Sequence, residues 1–445
     1  MDKEVWRKAL VIALPLMLAE SADSILWIVD TYFISRLGDE ALAAAGVGGY
    51  LGWLTFSIGT LYYTGALVLV SQAVGASKKS TAEQSVGEIL TANIILAIPV
   101  LILLWKTAPY LVDIIAGERV GLTAKSLAID YYRARLYGMP FAYMGLVFGA
   151  VYRGVGRTRP VLYSTIIFTI VNGVLDPILI FGLYSFPSLG ISGAGYASSI
   201  ANIVYAIGLY LYLPGHAGMK PVPRPPRHLA WKATKIGFPT LIERLVFVGG
   251  NLAYIGAVAR CGEDALAAHT IGVRIESLAF LPLFSIAESG AALVGQAIGA
   301  GDPKKAKHMG VEVAKLNLVA GAISMVVILL LSNRLPYVFT ESSDVARLAM
   351  YYLIIAGVTE PPLGVVMSIA MSIRGAGNTT IPTIINLSAL YLLRIIPAGI
   401  LPRFMPEGLC AVGAWLAMGI DVTGRSLILL WVYKRYFDKL ARKLV

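Results

Sequence analysis

Asp30 and Asp176 each interrupt a run of residues that is otherwise apolar, and an ionisable side chain in such a run is costly enough that it is normally retained for function. Asn172 precedes Asp176 by four residues, so on a helix both side chains leave the same face. Carboxylate and amide oxygens gathered in this way can bind a hard cation such as Na⁺, or hold one shared proton. Pro177 follows at once and removes a backbone donor, freeing a carbonyl one turn earlier. Asp23 lies seven residues before Asp30, about 20° off the same helical face. With Ala19 and Leu26 it forms a stripe expected to look into a helix bundle.

Such groups need long apolar elements to position them. The chain has 445 residues, 57% hydrophobic and 14% charged, whereas soluble domains carry roughly 25% charged residues. That excludes an ordinary soluble enzyme. Twelve stretches approach the roughly 20 apolar residues of a membrane-spanning helix: 9–34, 45–70, 86–105, 131–152, 161–183, 192–213, 236–259, 269–296, 310–331, 351–373, 381–401 and 411–433. No connection between them could hold a catalytic domain. HExxH, GxSxG and the phosphate-binding GxxxxGK[ST] pattern are all missing from the sequence, so neither an enzyme nor an ATP-driven pump is expected, and no cofactor. The first span carries Glu20, Asp23 and Asp30 and is expected to be retained rather than cleaved as a signal.

The net charge of +11 has a topological reading. The termini and the alternate loops on their side hold 22 of the 37 Lys and Arg residues, among them Lys3, Arg7, Lys78, Arg153, Lys304 and Lys443. The opposite loops balance their basic residues with acids such as Asp39, Glu40, Glu263 and Glu341. This asymmetry places both termini in the cytoplasm of a multi-pass cell-membrane protein. It also removes the need for a nucleic-acid partner. Cys261 and Cys410 fall in loops on the outer side, where one disulfide is an open alternative to two free thiols.

The chain repeats itself. RLGDEALAA (36–44) returns as RCGEDALAA (260–268), LVSQAVGA (69–76) as LVGQAIGA (293–300), and RGVG (153–156) as RGAG (374–377). The offsets are nearly equal, so the expected fold is all-α, with two parallel-related bundles of six spans each. The expected domains are 1–214, a Pro-rich basic linker at 215–235, and 236–445. Parallel repeats are typical of transporters whose substrate site lies near the midplane. Close helix packing is the default reading of most glycines in such a chain, but Gly75, Gly299, Gly154 and Gly375 sit at cytoplasmic span ends, where tight turns suffice to explain them.

The strings VDTYFISRLGDEALAA (29–44), LVSQAVGA, YRGVGRTRP (152–160) and NGVLDPILIFG (172–182) resemble the multidrug and toxic compound extrusion (MATE) transporters. LAAHTIG (266–272), LVGQAIGAGD (293–302) and IRGAGN (373–378) extend the resemblance across nearly the whole chain. It implies a V-shaped pair of six-helix bundles and a secondary antiporter. Such a protein expels cationic, amphipathic organic compounds in exchange for H⁺ or Na⁺. The resemblance further implies that Asp30, Asn172, Asp176 and the hydroxyl of Ser198 form the coupling-ion site. Pro15 matches the proline at which the first helix bends, and Tyr131 or Tyr132 matches a tyrosine near the site. Leu26 replaces a family tyrosine, with Trp27 adjacent. Leu363 replaces an aspartate used by the NorM-like branch, so the fit is better to the DinF-like branch. The rival reading is a lipid-intermediate flippase of the same superfamily, but twelve spans and an acidic site favour organic cations. A monomer in contact with membrane lipid is expected.

The second half has acids of its own. Glu243 adjoins Arg244 and Glu276 follows Arg274, so local pairing accounts for both. Glu288 has no neighbour of opposite sign in sequence and is a candidate for the substrate cavity. Glu360 precedes Pro361 and Pro362 near an outer span end and is expected to line the exit. Asp421 and Arg425, one turn apart, are expected to pair. His269, at a span start, is expected to be a hydrogen-bonding packing residue rather than a proton carrier. Most of the 23 tyrosines and seven tryptophans belong to interfacial belts or packing.

Overall fold

The computed structural model describes residues 2–117, 120–406 and 408–445; Met1, Glu118, Arg119 and Glu407 lie outside the described residues. Among the described residues the regular structure is entirely helical. In chain order the helices are α1 (Lys3–Ser35), α2 (Asp39–Gly75), α3 (Lys79–Ala116), α4 (Leu122–Leu136), α5 (Met139–Val155), α6 (Arg159–Phe181), α7 (Ile191–Tyr212), α8 (His228–Ala259), α9 (Glu263–Gly299), α10 (Pro303–Leu331), α11 (Ser343–Gly375), α12 (Thr380–Ala389), α13 (Ile396–Ile400) and α14 (Cys410–Leu440). A π-helical stretch, Leu390–Ile395, joins α12 to α13.

Among the described residues, eleven helical segments are long and apolar enough to cross a membrane by themselves, one of them the composite Thr380–Phe404. The remaining predicted span, 131–152, is divided between α4 and α5. Its break falls at Gly138, whose backbone N–H donates to the Ser199 hydroxyl of α7 at 3.0 Å. That hydroxyl in turn donates to the Ala134 carbonyl at 2.7 Å. A Cβ on Gly138 would press into the Cα of Ser199, so the close approach of α7 depends on glycine. Neither half reaches the length of a full span, which is why the hydropathy maximum and the helices differ here.

α1 shows how the sequence chooses its faces. Ala9, Ile12, Leu16, Ala19 and Leu26 are buried, while Leu18, Ile25, Trp27 and Ile28 are exposed. The buried set recurs at helical spacing, as an apolar helix with one protein-facing and one lipid-facing side requires. Of the predicted stripe, Ala19 and Leu26 are therefore interior, whereas Asp23 between them is exposed.

The chain divides into two compact units. The first comprises Leu14–Val74 and Lys78–Leu241; the second comprises Met1–Ala13, Gly75–Ser77 and Ile242–Val445. The core of the first gathers Tyr131, Tyr132 and Tyr143 with residues of α2, α3 and α7. That of the second is aromatic around Tyr352, whose ring meets Trp415 edge-on at 5.4 Å and His269 at 5.3 Å between centroids. His269 is thus a buried packing residue, but its Nδ1 has no hydrogen-bond partner among the described residues, so the expected hydrogen bond is not found there.

Gly75 and Gly375 are helical glycines without positive φ. Within the second unit, a Cβ on Gly75 would overlap the Gln296 carbonyl, and one on Gly375 the Ala291 backbone. Close packing of helices, not turn geometry, accounts for both.

Cys261 and Cys410 form a disulfide, with Cα atoms 5.5 Å apart and a sequence separation of 149. A link closing so long a loop constrains the unfolded chain strongly. Replacing both cysteines by serine is expected to cost about 2–4 kcal/mol of stability. Thermal unfolding of the detergent-solubilised variant, compared with the oxidised parent, measures it; an unchanged melting temperature counts against the link.

Candidate functional site

α1 and α6 each deliver one acid. Asp30 projects from the interior side of α1 and Asp176 from α6, and their carboxyls lie within hydrogen-bonding reach of each other. Asp176 is fully buried and Asn172 is 1% exposed. Asn172 Nδ2 donates to Ser198 Oγ on α7 at 3.3 Å, which leaves its carbonyl oxygen free to turn elsewhere. The structure thus brings together all four residues expected at the coupling site.

The unusual feature is the surplus of acceptors. Asp30 Oδ1, both carboxylate oxygens of Asp176 and Asn172 Oδ1 are sealed from solvent without a protein donor among the described residues. Buried polar groups are ordinarily hydrogen-bonded, and two facing carboxylates repel unless something positive joins them. A proton shared between the acids satisfies the geometry. So does a small hard cation, because every donor in the set is oxygen. Among the described residues there is no group of three or more His, Cys, Asp or Glu that could hold a metal ion. Two carboxylates with an amide and a hydroxyl suit Na⁺ better than a transition metal.

Arg135 belongs to this site and was not singled out from sequence. Its guanidinium is close enough for its charge to act on Asp23, Asp30 and Asp176. Its Nη1 donates to the Tyr131 hydroxyl at 2.8 Å. Three carboxyl groups thus share one arginine. The available signal was an arginine five residues into the predicted fourth span, one turn after Tyr131. Of the two candidate tyrosines, Tyr131 is therefore linked through Arg135 to the acids. Tyr132 is tied instead to Thr55 Oγ1 of α2 at 2.8 Å.

The other candidates lie around or apart from this cluster. Asp23, about two turns before Asp30 on the same helix, is exposed, so the expectation that it looks into the bundle interior does not hold. Pro15 is partly buried in an α1 that continues through it, and it withholds the donor that the Val11 carbonyl would otherwise use. Glu288 is buried on α9 and belongs to the second unit.

In the second unit the acids find partners the sequence did not suggest. Glu243 binds Arg374 Nη2 at 2.7 Å, Thr383 Oγ1 at 2.6 Å and Asn386 Nδ2 at 2.7 Å. Its charge is matched across helices. Glu276 accepts from the Tyr352 hydroxyl rather than pairing with Arg274. Glu360 is fully buried with neither oxygen bonded to a protein donor, so it does not line an opening. Asp421 pairs with Arg425 as expected, and also with Arg394 Nε at 2.9 Å.

Comparison with known proteins agrees with this architecture. The MatE family model matches residues 15–178 and 239–400, one copy in each half. A probable multidrug resistance protein NorM of Thermotoga maritima is 28% identical, with 96% of this chain and 91% of that protein covered. A probable multidrug resistance protein YoeA of Bacillus subtilis is 24% identical over 98% of this chain and 94% of its own. Among solved structures, a MOP superfamily transporter from Pyrococcus furiosus superposes with a TM-score of 0.88 at 20% identity, covering 98% of this chain and 96% of that one. An outward-facing multidrug resistance MATE transporter gives the same score and identity, with 97% and 96% covered. Two matched copies of the family model, spread over most of a multi-pass helical chain, make this protein a member of the MatE family.

Proposed function

We propose that the protein is a secondary active antiporter that exports cationic, amphipathic organic compounds in exchange for H⁺ or Na⁺. The observation that carries this reading is the buried set of donorless oxygens on Asp30, Asn172 and Asp176. The multidrug-resistance names of the relatives support the substrate class. The coupling ion joins the two acids and cancels their charge. With the acids neutral, α1 bends at Pro15, and the cation loses the electrostatic attraction that held it. Ion and organic cation therefore exclude each other, and that exclusion is a coupling free energy between them. Both termini face the cytoplasm of the cell membrane, the protein acts as a monomer, and no cofactor is needed. The Cys261–Cys410 disulfide supports this orientation, because with cytoplasmic termini its loops face the oxidising exterior.

Proteoliposomes preloaded with a fluorescent organic cation test the reading, with a proton or a sodium gradient imposed singly. One of the gradients is expected to drive export against the cation's own gradient. If neither does, the antiport reading fails, and movement of a lipid headgroup between leaflets instead would identify a flippase.

A further inference from the structure

Each unit holds a glutamate whose charge is used at the start of a helix. In the first unit, Glu88 on α3 is 1% exposed. Its Oε2 accepts from the backbone N–H groups of Arg227, Leu229 and Ala230 at 3.0, 3.0 and 3.1 Å. Those are the residue preceding α8 and two residues of its first turn, whose N–H groups have no partner within the helix. Gln84 Nε2 donates to the other oxygen at 2.9 Å. The preceding linker is held by the same surface. Lys220 N donates to Glu83 Oε1 at 2.9 Å, and Arg224 N to the Gly87 carbonyl at 3.3 Å.

In the second unit, Glu312 on α10 is 2% exposed. Its Oε2 accepts from Asp2 N, the residue preceding α1, at 2.8 Å, and Lys315 Nζ lies 2.6 Å from its Oε1. The next donors of α1, on Glu4 and Val5, are taken by the Asp2 side chain at 3.0 and 3.2 Å. Glu312 follows Glu88 by 224 residues, the offset of the first two sequence repeats. One acidic group at the same repeat position thus fastens the start of a helix in both units.

The helices so fastened share a second feature. Pro15 in α1 and Pro239 in α8 are also 224 residues apart. The compact units divide both helices beside these prolines. The first passes from one unit to the other between Ala13 and Leu14, and the second between Leu241 and Ile242. A proline inside a helix removes one backbone hydrogen bond and concentrates bending there. We propose that Glu88 and Glu312 are a reciprocal pair of positioning residues. Each clamps the start of one helix to the unit in which that helix begins, so bending of α1 and α8 is concentrated at Pro15 and Pro239. Buried carboxylates bonded to helix N-terminal amides make strong, directional clamps. The clamp stands on the geometry alone; its role in turnover rests on the transport reading.

Hydrogen exchange on the purified full-length protein, paired with transport in proteoliposomes, tests both parts. Glu88→Ala is expected to speed exchange of the amides at 227–230 by at least about tenfold, the loss of a charge-assisted hydrogen bond. It leaves the amides of Asp2, Glu4 and Val5 unchanged. Glu312→Ala is expected to speed exchange at Asp2 and leave 227–230 unchanged. Turnover is expected to fall at least about fivefold in each while the Kd for the organic cation stays within about twofold, since the clamps shape movement between states and not the binding site. Glu88→Gln keeps an acceptor oxygen; it is expected to fold where Glu88→Ala does not and to recover most of the turnover. Wild-type exchange at 227–230 in Glu88→Ala overturns the clamp. Accelerated exchange with undiminished turnover overturns its positioning role. A wild-type protein that transports nothing fails the antiport reading while leaving the exchange result to decide the clamp.

Discussion

Asp176→Asn is expected to reduce gradient-driven export by about 10–100-fold, the range of a coupling free energy of 1–3 kcal/mol, while the protein folds at least as well as the parent. An amide is nearly the same shape as the carboxylate, yet it can neither take up the coupling proton nor supply the charge that holds Na⁺. Stability should not suffer, because neither Asp176 oxygen has a protein donor to lose. A buried acid without a donor is a cost to the fold, and the neutral side chain removes it. Asp30→Asn is expected to act in the same direction through the facing carboxyl. Initial export rates and melting temperatures of the same preparations separate the two effects. A rate within about twofold of the parent, or a loss of export that merely follows a loss of folded protein, contradicts the assignment.

Asp421→Ala is expected to do the reverse and destroy the fold rather than the coupling. Asp421 is as deeply buried as Asp176, but it is bonded to two guanidinium groups, Arg394 and Arg425. Removing it leaves two part-buried cations with nothing to neutralise them. Breaking a buried pair in this way costs about 3–5 kcal/mol, a large part of a typical domain's total stability. The variant is expected to unfold or aggregate on extraction from the membrane. Asp421→Asn, which keeps an acceptor for Arg394, is expected to lose less. Size-exclusion profiles and thermal melts in detergent give the measurement, and a monodisperse Asp421→Ala with the parental melting temperature counts against the account. Two aspartates equally buried are thus separated by their partners: one is bonded to two guanidinium groups, the other has no protein donor among the described residues.

That difference marks what could be read from the sequence and what could not. Asp30 and Asp176 were legible because an acid in an apolar run has an obvious cost, and Asn172 because four residues make one helical turn. The spans were legible because burial in lipid imposes a length. The break between α4 and α5 was not, since Gly138 looks like any packing glycine until Ser199, 61 residues away, reaches it. Arg135 was hidden for a related reason. An arginine near a span end reads as an interfacial anchor, and only the meeting of α1, α4 and α6 makes it a neighbour of the acids. Glu243 was read from its neighbour Arg244 alone, and Arg374, 131 residues on, was not seen as its partner. Sequence spacing reports neighbours along one helix; charges matched between helices are set by packing.

Central to the account is a competition between ion and organic cation that depends on Asp30 and Asp176. Adding the cation to weakly buffered, detergent-solubilised protein tests it most directly, by following release of protons and, in parallel, the weakening of cation binding by Na⁺. The parent is expected to release about one proton per cation bound, or to bind the cation at least about tenfold more weakly in high Na⁺. Both effects are expected to vanish in Asp30→Asn and Asp176→Asn. Proton release or sodium competition that survives in both variants would contradict the account, because the ion would then be held elsewhere.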